Sequence, residues 1–261
     1  MNKISFFLIT IVGLFLTSCI PNKDIIYLQN KNKTVDNQPI NIINNPPYRL
    51  QTTDILSINI KTLDPKLGLL FSSGANQTIG NSEQGLYFDG FTVDDHGNIR
   101  MPLLGEINVL NQTIDEVRLK IEQKLLAEYF NKEANLFVNV KLAGFRYTTN
   151  GEINLTGTKV LYQERINILE AIANSGDIPV TGDRKNVQIL RRNPQGTTIH
   201  TIDLTDINLM QSPFYNLQPN DYIYVKPLKQ KTWGTGKTGI ESLSTIITLL
   251  SLATTTYLLL K

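Results

Sequence analysis

The placement of the apolar residues constrains this chain most: they form two concentrated blocks, one at each end, with a polar body between them. The N-terminal block, Ile4 to Leu16, follows the basic residue Lys3 and is broken only by Ser5, Thr10 and Gly13. It is too short to span a bilayer as a helix and has the basic-then-apolar layout of an export signal. It ends in Leu16-Thr17-Ser18-Cys19, where small residues precede the only cysteine. The C-terminal block, Ile240 to Leu260, carries the single charge Glu241. At 1.5 Å rise per residue such a helix is about 30 Å long, the hydrocarbon thickness of a bilayer.

Composition limits the rest. A chain of 261 residues suggests two modest domains with accessory segments. With 41% hydrophobic and 18% charged residues it is neither a polytopic membrane protein nor a disordered one. A net charge of +2 argues against a nucleic-acid surface, and no nucleic-acid partner is expected. One Cys excludes a disulfide framework and a Cys-based zinc cluster, and two His leave little material for a metal centre. His96 lies in a turn signal and His200 alternates on a strand. The adjacent Asp94 and Asp95 read as turn capping rather than as an acid–base pair. No catalytic residue, metal or cofactor is therefore expected.

Residues 20–46 are rich in Asn and Lys, show no period, and read as a tether. Leu56, Ile58 and Ile60 then alternate with polar residues, the period of a half-buried strand. A Gly-, Ser- and Asn-bearing stretch (72–90) precedes Phe91-Thr92-Val93 and the turn signal Asp94-Asp95-His96-Gly97-Asn98. Ile99 to Ile107 reads as a short strand broken at Pro102 and Gly105. Thr113-Ile114-Asp115-Glu116 matches a capping box. Ile114, Val117, Ile121, Leu125 and Tyr129 follow at helical spacing, which predicts an amphipathic helix over 114–130. Leu136, Val138, Val140 and Leu142 alternate as a strand. A second unit follows, with a strand through Ile153 and Leu155 that ends near Gly157. Asn167 caps a short helix bearing Ile168, Leu169, Ala171 and Ile172, which stops at Gly176. Strands at 187–191 and 198–204 flank the hairpin signal Asn193-Pro194-Gln195-Gly196, and Tyr222 to Val225 closes the unit. The expected fold class is α+β: two small β-rich domains, 47–143 and 144–227, then a linker (228–239) and one C-terminal transmembrane helix (240–260).

An internal echo joins the two units. Tyr48-Arg49-Leu50-Gln51-Thr52-Thr53-Asp54 aligns with Tyr215-Asn216-Leu217-Gln218-Pro219-Asn220-Asp221, with Tyr, Leu, Gln and Asp at identical spacing before a strand. Both a shared turn-then-strand device and a true repeat account for it, and either makes Asp54 and Asp221 structural.

Three resemblances add to this reading. Residues 16–19 resemble the lipobox of bacterial lipoproteins, which implies removal of residues 1–18 and acylation of the Cys19 thiol. Ile20, in place of Asp, implies the outer membrane. The body resembles the outer-membrane polysaccharide export (Wza-like) family. It carries the first-domain pattern as Tyr48 to Ile58, followed by Asp94, Gly97, Ile99, Pro102, Leu103, Gly105 and Ile107. The second domain resembles the soluble-ligand-binding β-grasp (SLBB) module through Gly151-Glu152-Ile153, Gly157, Leu169-Glu170-Ala171-Ile172, Gly176 and Leu217 to Asp221. The family's Gly before the turn aspartate is Thr53 in the first copy and Asn220 in the second. Because Thr tolerates left-handed geometry poorly, the first turn is expected to differ in shape.

The family resemblance implies a passive conduit rather than an enzyme. It implies a ring of about eight subunits, capsular or exopolysaccharide as cargo, and an inner-membrane polysaccharide co-polymerase or tyrosine kinase as partner. The folded domains would stand in the periplasm of a Gram-negative bacterium. Glu241, Ser244, Thr245, Thr248, Ser251 and Thr255 fall on one stripe at about 100° per residue. They are the candidates to line a pore or to touch a neighbouring helix. The other reading is a carbohydrate-binding or structural envelope lipoprotein with the helix as a second anchor. Gly234-Thr235-Gly236-Lys237-Thr238 imitates a phosphate-binding loop, but Lys231 stands where the first Gly is required and no buried strand precedes it.

Overall fold

A computed structural model describes residues 20–31, 46–63, 68, 70, 71, 83–130, 135–193, 195–229, 231 and 239–259. The export-signal residues, Cys19 and the imitation phosphate loop lie outside the described residues. The architecture is α+β, with two separate apolar cores.

The first core is built on an antiparallel three-stranded sheet. Strand β1 (Ile55–Lys61) lies between β2 (Phe91–Thr92) and a strand at Phe137–Leu142. Leu56, Ile58 and Ile60 face inward by strict alternation, and Ile58 pairs opposite Val140. The Ile99–Ile107 stretch is a hairpin rather than one broken strand: β3 (Asn98–Met101) pairs with β4 (Gly105–Asn108). Pro102, with no N–H to give a ladder, and Leu103, at φ 64°, turn the chain where a strand was expected. Helix α2 (Ile114–Glu128) begins at a Thr113–Glu116 capping box and buries Val117, Ile121 and Leu125. Each such buried side chain contributes roughly 2 kcal/mol. The 72–90 stretch hides a short helix, α1 (Glu83–Asp89), whose lack of apolar period concealed it. The strand at Phe137–Leu142, β5, closes the domain.

The second core lies under a five-stranded sheet of order β7-β6-β10-β8-β9. Its strands are β6 (Phe145–Gly151), β7 (Gly157–Leu161), β8 (Gly182–Asn193), β9 (Gly196–Ile202) and β10 (Asp221–Pro227). β6 and β10 run parallel at the centre, and the outer pairs are antiparallel. Helix α3 (Ile168–Asn174), capped by Asn167 and Glu170, buries Ile168, Ala171 and Ile172. The expected strand through Ile153 and Leu155 is a turn, and β7 begins where that strand was to end, at Gly157. Gly151 explains the difference. Its φ of 86°, and a position where a Cβ would meet the Val225 carbonyl oxygen at 2.1 Å, end β6 there.

Two terminal elements complete the chain. The described part of the expected tether, residues 20–31, lies against the second domain. Leu28 and Gln29 N–H donate to Leu204 and Thr205 carbonyls at 3.1 and 2.7 Å, and Ile207 N–H returns to Gln29. At the other end, helix α4 (Gly239–Leu259) has 21 residues. Among the described residues no helix is long and apolar enough to cross a membrane.

Candidate functional site

The repeated turns meet each other at the junction of the two domains. Asp54 Oδ2 accepts from Tyr48 Oη at 2.8 Å and from the Gln51 N–H at 2.9 Å. Its Oδ1 accepts from Asn220 Nδ2, in the second copy of the turn, at 3.0 Å. Asn220 N–H donates to the Arg146 carbonyl at 2.6 Å, so one residue binds both domains. Thr53 (φ 72°) and Asn220 (φ 67°) share the same left-handed geometry. Thr53 does not change the turn's shape, because the Asp54 contacts and the Thr53 N–H to Val93 bond impose it from outside.

The two aspartates are neutralised differently. Asp54 is 4% exposed and receives neutral donors only, so burial pushes its carboxyl above the ordinary range against those hydrogen bonds. Burial, then the neighbouring Asp54 charge, pushes the Tyr48 hydroxyl upward as well. Asp221 instead makes a two-pronged ion pair with Arg191, Nε to Oδ1 at 3.0 Å and Nη2 to Oδ2 at 2.7 Å. Burial raises Asp221, and the guanidinium opposes that rise. Arg191 also lies over the Phe214 ring at 5.4 Å, and His200 stacks on the same ring at 3.8 Å. His200 is therefore a packing residue. A cleft of about 50 Å³ opens at the junction beside Gly144, Arg146 and Val160. It is far smaller than the roughly 300 Å³ of a small-molecule site, so the junction is a joint and not a binding pocket.

The remaining turn residues shape the first domain. Asp94 Oδ1 accepts from the N–H of His96 at 2.9 Å and of Asn98 at 2.8 Å, and Gly97 adopts φ 81°. The Pro102-to-Gly105 turn is held by α2 and its C-cap residue: Lys124 Nζ donates to the Leu104 carbonyl and Tyr129 Oη to the Leu103 carbonyl, both at 2.8 Å. Gly157 opens β7 at φ 117°.

On α4, Thr248 donates to the Ser244 carbonyl at 2.7 Å, Ser251 to Thr248 at 2.9 Å and Thr255 to Ser251 at 2.6 Å. Thr254 and Thr256 do the same on flanking faces. The hydroxyl protons are thus used within the helix, while each oxygen keeps a lone pair for water or a neighbour. The Glu241 and Thr245 side chains lie outside the described residues.

Residues Tyr27, Lys31, Arg191 and Asn220 carry contacts that the sequence reading missed. For Arg191 a signal existed, because it shares the strand face of Val187 and Ile189, where a cation needs a buried partner. For Tyr27 and Lys31, in the N-terminal strap of residues 20–31 that lies against the second domain, there was none. Among the described residues no cluster of three or more His, Cys, Asp or Glu could hold a metal ion.

Residues 43–141 match a family described as "Polysaccharide biosynthesis/export protein". The match covers the first domain and stops short of the five-stranded sheet.

Proposed function

We propose that this chain, a member of the polysaccharide export family through residues 43–141, is an outer-membrane lipoprotein that assembles as a ring and conducts polysaccharide through a pore of α4 helices. The match over the first domain carries the export part of this reading. The ring part is supported by the make-up of α4. Its 21 residues suit the thickness of a bilayer, and its hydroxyls recur at Ser244, Thr248, Ser251 and Thr255. Such a helix becomes tolerable in a bundle, where Ser244, Thr248, Ser251 and Thr255 turn toward water or neighbours. Cys19 supplies the acyl anchor, at about 0.8 kcal/mol per buried CH₂. A mixed sheet whose first and last strands are parallel neighbours, crossed by one helix, supports reading the second domain as an SLBB-type β-grasp module. The cargo is capsular or exopolysaccharide, and an inner-membrane co-polymerase or tyrosine kinase delivers it to a ring of about eight subunits.

A second reading, a carbohydrate-binding or structural lipoprotein with α4 as a plain anchor, draws on the hydroxyl protons being satisfied within the helix. Deleting residues 239–261 separates the two. In the pore reading surface polymer is lost while Cys19 acylation and the folded body persist. Undiminished surface polymer, with only looser membrane attachment, would favour the anchor.

A further inference from the structure

The geometry points to a latched hinge between the two domains, with Gly144 as its pivot and the Asn220 amide, seated on the Asp54 carboxylate, as its latch. The hinge belongs to the folded body and does not depend on the membrane or ring readings.

The chain passes from the first domain to the second over one residue. Ala143 still belongs to the first sheet, since its N–H donates to the Ile55 carbonyl at 2.8 Å. Phe145 already belongs to the second sheet, where it pairs with Leu161 of β7. Gly144 stands between them at φ 115°, a region that residues with side chains rarely enter. A Cβ there would lie 2.5 Å from Val160 Cγ1. Glycine takes up a change of backbone angle with the least steric cost, which is what a hinge position requires. On either side of it each domain keeps its own apolar core, and the two cores share no residue. The cleft of about 50 Å³ opens at this pivot, between Ile55 and Leu142 of one domain and Val160 and Pro219 of the other. A polar, incompletely packed junction permits two domains to move, where a broad apolar interface would hold them.

The bonds that fix the angle are polar. Asn220 Nδ2 donates to Asp54 Oδ1 at 3.0 Å, and Gln51 Nε2 donates to the Arg192 carbonyl at 3.4 Å. Each of the two meeting turns keeps a residue other than glycine in left-handed geometry, Thr53 in one and Asn220 in the other. Such residues gather where a structure holds strain for a switch. The latch is also nearly balanced. Asp54 is buried, and its donors are Tyr48, the Gln51 N–H and Asn220, none of them charged. Opening gives up the amide hydrogen bond but returns the carboxylate to water, so the two effects oppose each other. Once open, the latch lets the domain that matches the export family change its angle to the five-stranded sheet with both cores intact.

The test uses the full-length protein in mild detergent, with nitroxides at Gln123→Cys on α2 and Ala173→Cys on α3, both exposed helix positions. Labelled chains are mixed with an excess of unlabelled ones, so that each measured pair lies within one chain. Double electron–electron resonance should give one narrow distance distribution for the parent. Asn220→Gly keeps the left-handed turn and removes the amide, and Asn220→Asp sets a second carboxylate against Asp54. Each should broaden the distribution roughly twofold or more. A control pair inside the second domain, Asn186→Cys with Ala173→Cys, should stay narrow in both variants. A broad distribution in the parent would overturn the inference, because the latch would not hold. Unchanged widths in both variants would overturn it too, because the junction would be rigid without the amide. Broadening of the control pair would place the motion inside the second domain rather than at Gly144, again contradicting it.

Discussion

Asp54 and Asp221 occupy equivalent positions in two copies of one turn, yet they face opposite electrostatic problems. Asp54 is buried among Tyr48, the Gln51 N–H and Asn220, so its charged form is costly. A carboxyl whose folded pKa is raised binds its proton more tightly when folded, and the stability this gives is lost as pH rises through the folded pKa. The stability of the parent protein relative to Asp54→Asn should therefore increase as pH falls from neutral toward the ordinary carboxylate range. Urea midpoints across that range check this, and a difference that shrinks on acidification would contradict it. Asp221 depends on Arg191, which is itself nearly buried. Arg191→Ala strands a buried charge and should cost about 3 kcal/mol or more. A urea midpoint near the parent value would show that water or a rearranged neighbour replaces the guanidinium.

At the scale of elements, regular periods were legible and chain reversals were not. β1, α2, α3 and the core positions of β5 and β8 follow from alternation, helical spacing and two capping boxes. The β3–β4 hairpin and the β6–β7 pair were misread because their turns use positive φ at Leu103 and Gly151, which sequence period does not encode. Gly151→Ala tests the second of these. Its new Cβ would meet the backbone of the central strand β10, so the expected loss is on the order of 3 kcal/mol. A midpoint unchanged by that substitution would mean that β6 can end in another way. The docking of the strap was also illegible, because its contacts lie far away in sequence, at 177, 185 and 203–206. The junction was half legible: the repeat marked both turns, but not that they bind each other.

Over the whole molecule, the two apolar blocks that bound the sequence acquire different roles. Residues 20–31, which follow the first block, lie against the second domain, and α4 carries the second block. Residues 43–141, which span the first domain, match the polysaccharide biosynthesis/export family. The proposed pore, with one helix per chain, requires many chains, since a single helix encloses nothing. The native mass of the full-length protein extracted in mild detergent tests this most directly. A large closed homo-oligomer, seen as a ring by electron microscopy, is the predicted result. A strictly monomeric mass would contradict the pore.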